Sequence, residues 1–144
     1  MIAVDTSILA RFYIDDPADR EAAAQSRRAR RVMLESAAIF VPLTVVLELE
    51  RVMRGFYRLE PESFCSAVNH LLGMAHVTVQ HWEAISDAVA LHAQRLDFAD
   101  ALHWRLSAGC ERLVSFDDRK FVRRARRLAG PRVSDLPGLA LPAS

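Results

Sequence analysis

Five carboxylates carry the clearest chemical signal in this 144-residue chain. Asp5 directly follows the short apolar run Ile2-Ala3-Val4. Asp117 follows Arg112-Leu113-Val114-Ser115 with only Phe116 between them. Asp97 and Asp100 lie in Asp97-Phe98-Ala99-Asp100-Ala101-Leu102-His103, and Glu48 lies in Leu47-Glu48-Leu49-Glu50-Arg51-Val52-Met53. Any one of them has a plain structural use: an aspartate behind a strand often only caps a helix, and Asp100 suits a helix dipole. Five acids that converge on one place repel one another unless cations sit among them. Hard divalent ions such as Mg²⁺ take oxygen ligands and keep waters and substrate phosphate in their shell. Two such ions about 3.5–4 Å apart suit in-line hydrolysis of a phosphodiester.

The elements around these acids explain why they should converge. Ile2-Ala3-Val4, Ile39-Phe40-Val41, His76-Val77-Thr78-Val79 and Arg112-Leu113-Val114-Ser115 read as short buried strands, and Arg132-Val133-Ser134 as an edge strand. Helical patterns separate them. One opens at Asp5-Thr6-Ser7 and runs to Tyr13. A second starts at Asp16-Pro17 and runs to Ser36. A third runs from Pro42 to Arg58, and a fourth from Glu60-Pro61 to Gly73. Trp82, Ile85, Val89, His92 and Leu96 mark one face of a fifth. Asp97 caps a sixth that Gly109 stops. The last starts at Asp117 or Asp118 and ends at Gly130-Pro131. Strands alternating with helices predict a three-layer α/β/α sandwich with a central, mostly parallel sheet of four or five strands. Ligands bind beyond the carboxyl ends of such strands. Asp5 and Asp117 both stand there.

The helix after Pro42 separates two glutamates. Val45, Leu49, Val52 and Phe56 form its inward stripe, which Glu48 borders. Glu50 has Arg54 four residues on, the favourable order for an exposed pair, and reads as a solvated surface acid. His103 stands three residues after Asp100, a spacing that can hold a metal. Among oxygen ligands a hydrogen-bonding or structural role suits it better. Arg119, Lys120, Arg123, Arg124, Arg126 and Arg127 follow Asp117; such a run suits a solvated face or, at its first members, phosphates near the acids. Arg27, Arg28, Arg30 and Arg31 form a second cluster, far along the chain from the acids, and suit solvent or an acidic partner. Phe12, Tyr13, Phe56, Tyr57, Trp82 and Trp104 read as core or subunit-interface residues.

Composition closes several other classes. A chain of this length suits one domain, here residues 1–144 with a loose tail at 136–144. The 51% apolar content excludes a disordered chain, and the net charge of +1 excludes a uniformly basic nucleic-acid binder. Cys65 and Cys110 have no CxxC spacing, so reduced thiols and a cytoplasmic location are expected. The start Met1-Ile2-Ala3-Val4-Asp5 does not read as a signal peptide. The longest apolar run, Ala37 to Leu47, is too short to span a membrane. No glycine-rich phosphate loop, GxSxG or Cys/His nucleophile pairing is evident.

Val4-Asp5-Thr6-Ser7, Leu47-Glu48-Leu49-Glu50-Arg51-Val52-Met53, Asp97 to His103 and Ser115-Phe116-Asp117, in this order and spacing, resemble the motifs of PIN-domain ribonucleases, most closely the VapC-type toxins of bacterial toxin–antitoxin pairs. The resemblance covers Met1 to Ser134. It implies that Asp5, Glu48, Asp100 and Asp117 are the catalytic, metal-binding acids, with Asp97 and Asp118 as auxiliaries. It also implies that Thr6, Ser7 and Ser115 orient the site, although Ser7 stands where many relatives carry asparagine. Arg119, Lys120 and Arg123 would then meet the RNA. The function so implied is a Mg²⁺- or Mn²⁺-dependent endoribonuclease, the toxin of a type II pair, held by a VapB-like antitoxin and forming a homodimer. The alternatives are a PIN nuclease of RNA processing and a non-catalytic binding module on the same fold.

Overall fold

The computed structural model describes residues 1–116, 119–125, 127–128, 130 and 132–135, with side chains at all of these except 119, 120, 122 and 132–135. The first strand, β1 (Ile2–Ala3), leads through buried Val4 into α1 (Thr6–Tyr13), whose N-cap is Asp5. The second helix, α2 (Arg20–Glu35), starts later than Asp16-Pro17 suggests. Asp19 caps it, accepting from the Glu21 amide at 2.9 Å. The cap that wins satisfies an orphan amide of the first turn. Then follow β2 (Ile39–Val41), α3 (Leu43–Arg51), α4 (Pro61–Gly73), β3 (Val77–Val79), α5 (Trp82–Ala93), α6 (Phe98–Leu106), β4 (Arg112–Ser115), α7 (Arg119–Ala125) and β5 (Arg132–Asp135). The expected start of α7 at Asp117 or Asp118 and the tail at 136–144 lie outside the described residues.

The expected α/β order with parallel pairing is present, and the pairing is parallel throughout. β1 pairs with β2 and β2 with β3, with Ile39 opposite Ile2 on one side and Val77 on the other. β4 pairs with β5 from Arg112↔Arg132 to Ser115↔Asp135. Among the described residues the five strands form two ladders, of three strands and two, rather than one sheet. Short strands of two to four residues offer few ladder bonds each, so helix packing must hold them. Leu9, Met33, Ile39, Val41, Val46, Leu49, Phe64, Leu71, Ile85, Phe98, Leu102 and Trp104 fill that core, all fully buried.

The helix after Pro42 departs from its predicted form in two ways. It does not continue regularly to Arg58: Val52–Phe56 widen into one π-helical turn after α3. Its buried residues are Val45, Val46, Leu49, Glu50 and Met53, while Val52 is half-buried and Phe56 is 76% exposed. The inward stripe is therefore rotated from the expected one, toward Glu50. Phe56 and Trp82 are exposed and not part of the core, whereas Trp104 is. Cys65 is buried, its thiol pushed up by burial, and Cys110 is exposed; neither is in a disulfide.

Candidate active site

β1 and β2 run parallel as neighbours, so the chains that leave them emerge at one edge. Asp5 leaves β1 there as the cap of α1, and Pro42 leaves β2 there as the first residue before α3. Gln80, just past β3, ties that edge together: its side-chain oxygen accepts from the Leu43 amide at 2.9 Å. Its own amide donates to the Val41 carbonyl at 2.9 Å. The carboxyl ends of all three paired strands thus meet where α1 and α3 begin, the place where open α/β sheets bind ligands.

Asp5 is exposed and anchored. The Ser7 hydroxyl donates to its Oδ1 at 2.6 Å and the Ile8 amide at 3.3 Å. The Ser7 bond, foremost, holds the Asp5 carboxyl below the usual aspartate range against a modest desolvation. Ser7 thus fixes the direction of the Asp5 carboxyl, and Thr6 is buried beside it. Glu48 is exposed, one turn before the end of α3. α3 packs against both α1 and α6. At the start of α6, Asp97 is the N-cap and accepts from the Asp100 amide at 3.0 Å, while Asp100 is half-buried. Asp97 is engaged as a cap. Ser115 ends β4, and Asp117 and Asp118 lie outside the described residues.

Glu50 is not a solvated surface acid. It is only 5% exposed and accepts from Arg54 Nε at 2.9 Å. The guanidinium of Arg54 is held above its usual value first by that bond and also by the charge of Asp97. The i, i+4 pairing was legible in the sequence. Its burial, and the cation it places toward the α6 cap, was not.

The basic residues divide. Arg123 is exposed, but Arg124 donates to the Gln94 carbonyl at 3.1 Å. Arg119 and Lys120 open α7 beyond β4, in the expected order. Arg28, far from the acids in sequence, lines the same groove as Ser7, because α2 packs along α1. His103 is exposed. His92 bonds the Leu96 carbonyl at 2.6 Å, and His76 bonds the Met33 carbonyl at 2.7 Å, which are structural uses.

The donor set of Asp5, Glu48 and Asp100 is oxygen only, which suits a hard divalent cation and not a soft one. Among the described residues no three His, Cys, Asp or Glu come together closely enough to hold a metal. The fourth expected ligand, Asp117, is outside them.

The PIN domain family matches residues 2–127 of the chain. The chain belongs to the PIN-domain family, and its α/β/α fold with a parallel sheet is the fold of that family. A solved structure that it is similar to is the Mycobacterium tuberculosis VapC20 toxin, described as cleaving the sarcin–ricin loop. The identity is 17% over 92% of this chain and 99% of that one, with a TM-score of 0.41. No curated protein matches the sequence. No helix among the described residues is long and apolar enough to cross a membrane.

Proposed function

We propose that this chain is a Mg²⁺- or Mn²⁺-dependent endoribonuclease acting in the cytoplasm, the toxin of a type II toxin–antitoxin pair. Membership of the PIN-domain family supports the nuclease reading. The observation that carries the site is the placement of Asp5: exposed, anchored on Ser7, and held ionised at the carboxyl edge of β1, where α3 with Glu48 also begins. Asp5, Glu48 and Asp100, completed by Asp117 with Asp97 and Asp118 as auxiliaries, would hold the cation. When bound, that cation would supply Lewis-acid polarisation of the phosphodiester and a water of lowered pKa. Ser7 favours the ionised form of Asp5 and fixes its direction. Thr6 and Ser115 set the ends of the elements that carry the acids. Arg119, Lys120 and Arg123 would hold the RNA backbone through their charge.

A ribonuclease of this kind needs an inhibitor, and the proposed partner is a VapB-like antitoxin whose C-terminal segment folds onto the toxin. An antitoxin arginine on Glu48, Asp5 or Asp100 would be a charge-assisted contact on the oxygens the cation needs. Inhibition of the purified complex should then weaken as Mg²⁺ rises. Inhibition indifferent to Mg²⁺ would count against that contact. A small gene directly upstream whose product neutralises growth arrest by this chain tests the toxin role itself. Homodimerisation is supported by the exposed large apolar side chains Leu34, Phe56, Trp82, Leu106 and Phe116.

A further inference from the structure

Between α1 and α2 runs a cavity of about 290 Å³ lined by Ser7, Ile8 and Arg11 on one side and Gln25, Arg28, Ala29 and Val32 on the other. Ser7, one of the lining residues, is also the residue that holds Asp5, so the groove lies beside that carboxylate.

Two arginines and a glutamine bring donors to its walls. Arg11 is locked by two bonds, Nε to Gln25 Oε1 at 2.7 Å and Nη2 to Asp19 Oδ2 at 2.8 Å. Its remaining nitrogen, Nη1, is buried with no hydrogen-bond partner among the described residues, the nearest acid oxygen being Asp16 Oδ2 at 3.6 Å. Because the Gln25 oxygen accepts from Arg11, the amide group presents its NH₂ outward. Arg28 is exposed and has no ion pair among the described residues. Arg27, also exposed, adds to the positive potential of the same helix. Sealed from solvent and facing Asp16 and Asp19, Arg11 shapes the wall of the groove, and the donors open to an anion are Arg28 and Gln25. The apolar wall of Ile8, Ala29 and Val32 suits the carbon face of a ribose or base.

We propose that this groove is a phosphate-binding subsite for the RNA strand flanking the scissile bond, with Arg28 and Gln25 as its accessible donors. It rests on the ribonuclease reading, since it takes the strand running past Asp5 as the occupant. An acidic peptide is the rival anion.

The test measures the affinity of a short fluorescent single-stranded oligouridylate by anisotropy in Mg²⁺, on a Glu48→Gln background so that cleavage does not interfere. Arg28→Gln should weaken binding about fivefold and flatten the log–log salt slope by about 0.7, one lost phosphate contact on a single strand. Gln25→Glu keeps the acceptor for Arg11 but turns the donor into a charge, and should weaken binding at least as much. Arg30→Gln, on the far side of α2 from the groove, should leave affinity within about twofold. Unchanged affinity and salt slope in both Arg28→Gln and Gln25→Glu would overturn the subsite. So would an acidic peptide that binds the wild-type groove through Arg28 while RNA affinity ignores that residue. Cleavage is read separately on the wild-type chain. Its absence alongside Arg28-dependent RNA binding would sink the ribonuclease reading and leave the groove standing.

Discussion

Arg11 on α1 and Asp19 at the cap of α2 meet at 2.8 Å, so one guanidinium fixes the angle between the two helices that flank the groove beside Asp5. The Asp19 carboxyl is held below the ordinary aspartate range, first by the Glu21 amide it caps and then by Arg11. A carboxyl lowered on folding contributes stability above its unfolded pKa and loses it as pH falls through the folded value. Thermal stability should therefore drop on acidification below the ordinary carboxylate range. Arg11→Gln should raise the Asp19 pKa part of the way, and Asp19→Asn should flatten the acid limb. Carboxyl chemical shifts followed through a pH titration measure both. An Asp19 shift curve unmoved by Arg11→Gln would contradict the role given to that contact.

Glu48 and Glu50 should separate cleanly in a paired experiment. Glu48 is exposed, so Glu48→Gln should remove activity with little change in melting temperature. Glu50 is buried against Arg54, whose own side chain is 61% exposed and able to regain water. Glu50→Gln should therefore cost about 1 kcal/mol of stability. Denaturant midpoints alongside cleavage rates distinguish them, and equal damage to stability from both would refute this assignment of faces.

Gly130 leaves no room for a side chain. A Cβ there would lie 2.7 Å from Trp104 Cζ2. Trp104 is fully buried and packs on Phe121 at 6.1 Å between ring centroids, so it has nowhere to yield. Gly130→Ala should destabilise the fold by about 1–3 kcal/mol, seen as a lower denaturant midpoint at unchanged slope. A midpoint equal to wild type would show that the segment after α7 moves freely away from Trp104.

Self-association should follow from apolar surface that the fold leaves uncovered. Phe56 is 76% exposed and Trp82 56%. Sedimentation at micromolar concentration should give a dimer. A monomer under those conditions would contradict the dimer.

The parts of this fold legible in the sequence are those decided locally. Asp5 and Asp97 are caps because an aspartate beside a free first-turn amide satisfies it whatever lies around them. Pro61 starts α4 for an equally local reason. Asp16-Pro17 offers a similar start signal, but Asp19 caps the Glu21 amide and takes the closer Arg11 contact, 2.8 Å against 3.6 Å for Asp16. Glu50 was misplaced because its charge argues for solvent, whereas the rotation of α3 into the π turn at Val52–Phe56 is set by packing. The division of the strands into two ladders depends on pairing, which strands this short do not encode by pattern. Arg28 is remote from Asp5 in sequence, and only the packing of α2 on α1 brings it to the groove that Ser7 also lines.

The most direct test of the central claim is RNA cleavage by the purified chain with Mg²⁺ or Mn²⁺, repeated in EDTA and with Asp5→Asn. The wild-type chain should cleave, EDTA should abolish cleavage, and Asp5→Asn should be inactive while still folding cooperatively. Full cleavage in EDTA, or an Asp5→Asn protein as active as wild type, would contradict a metal site built on the carboxyl edge of β1.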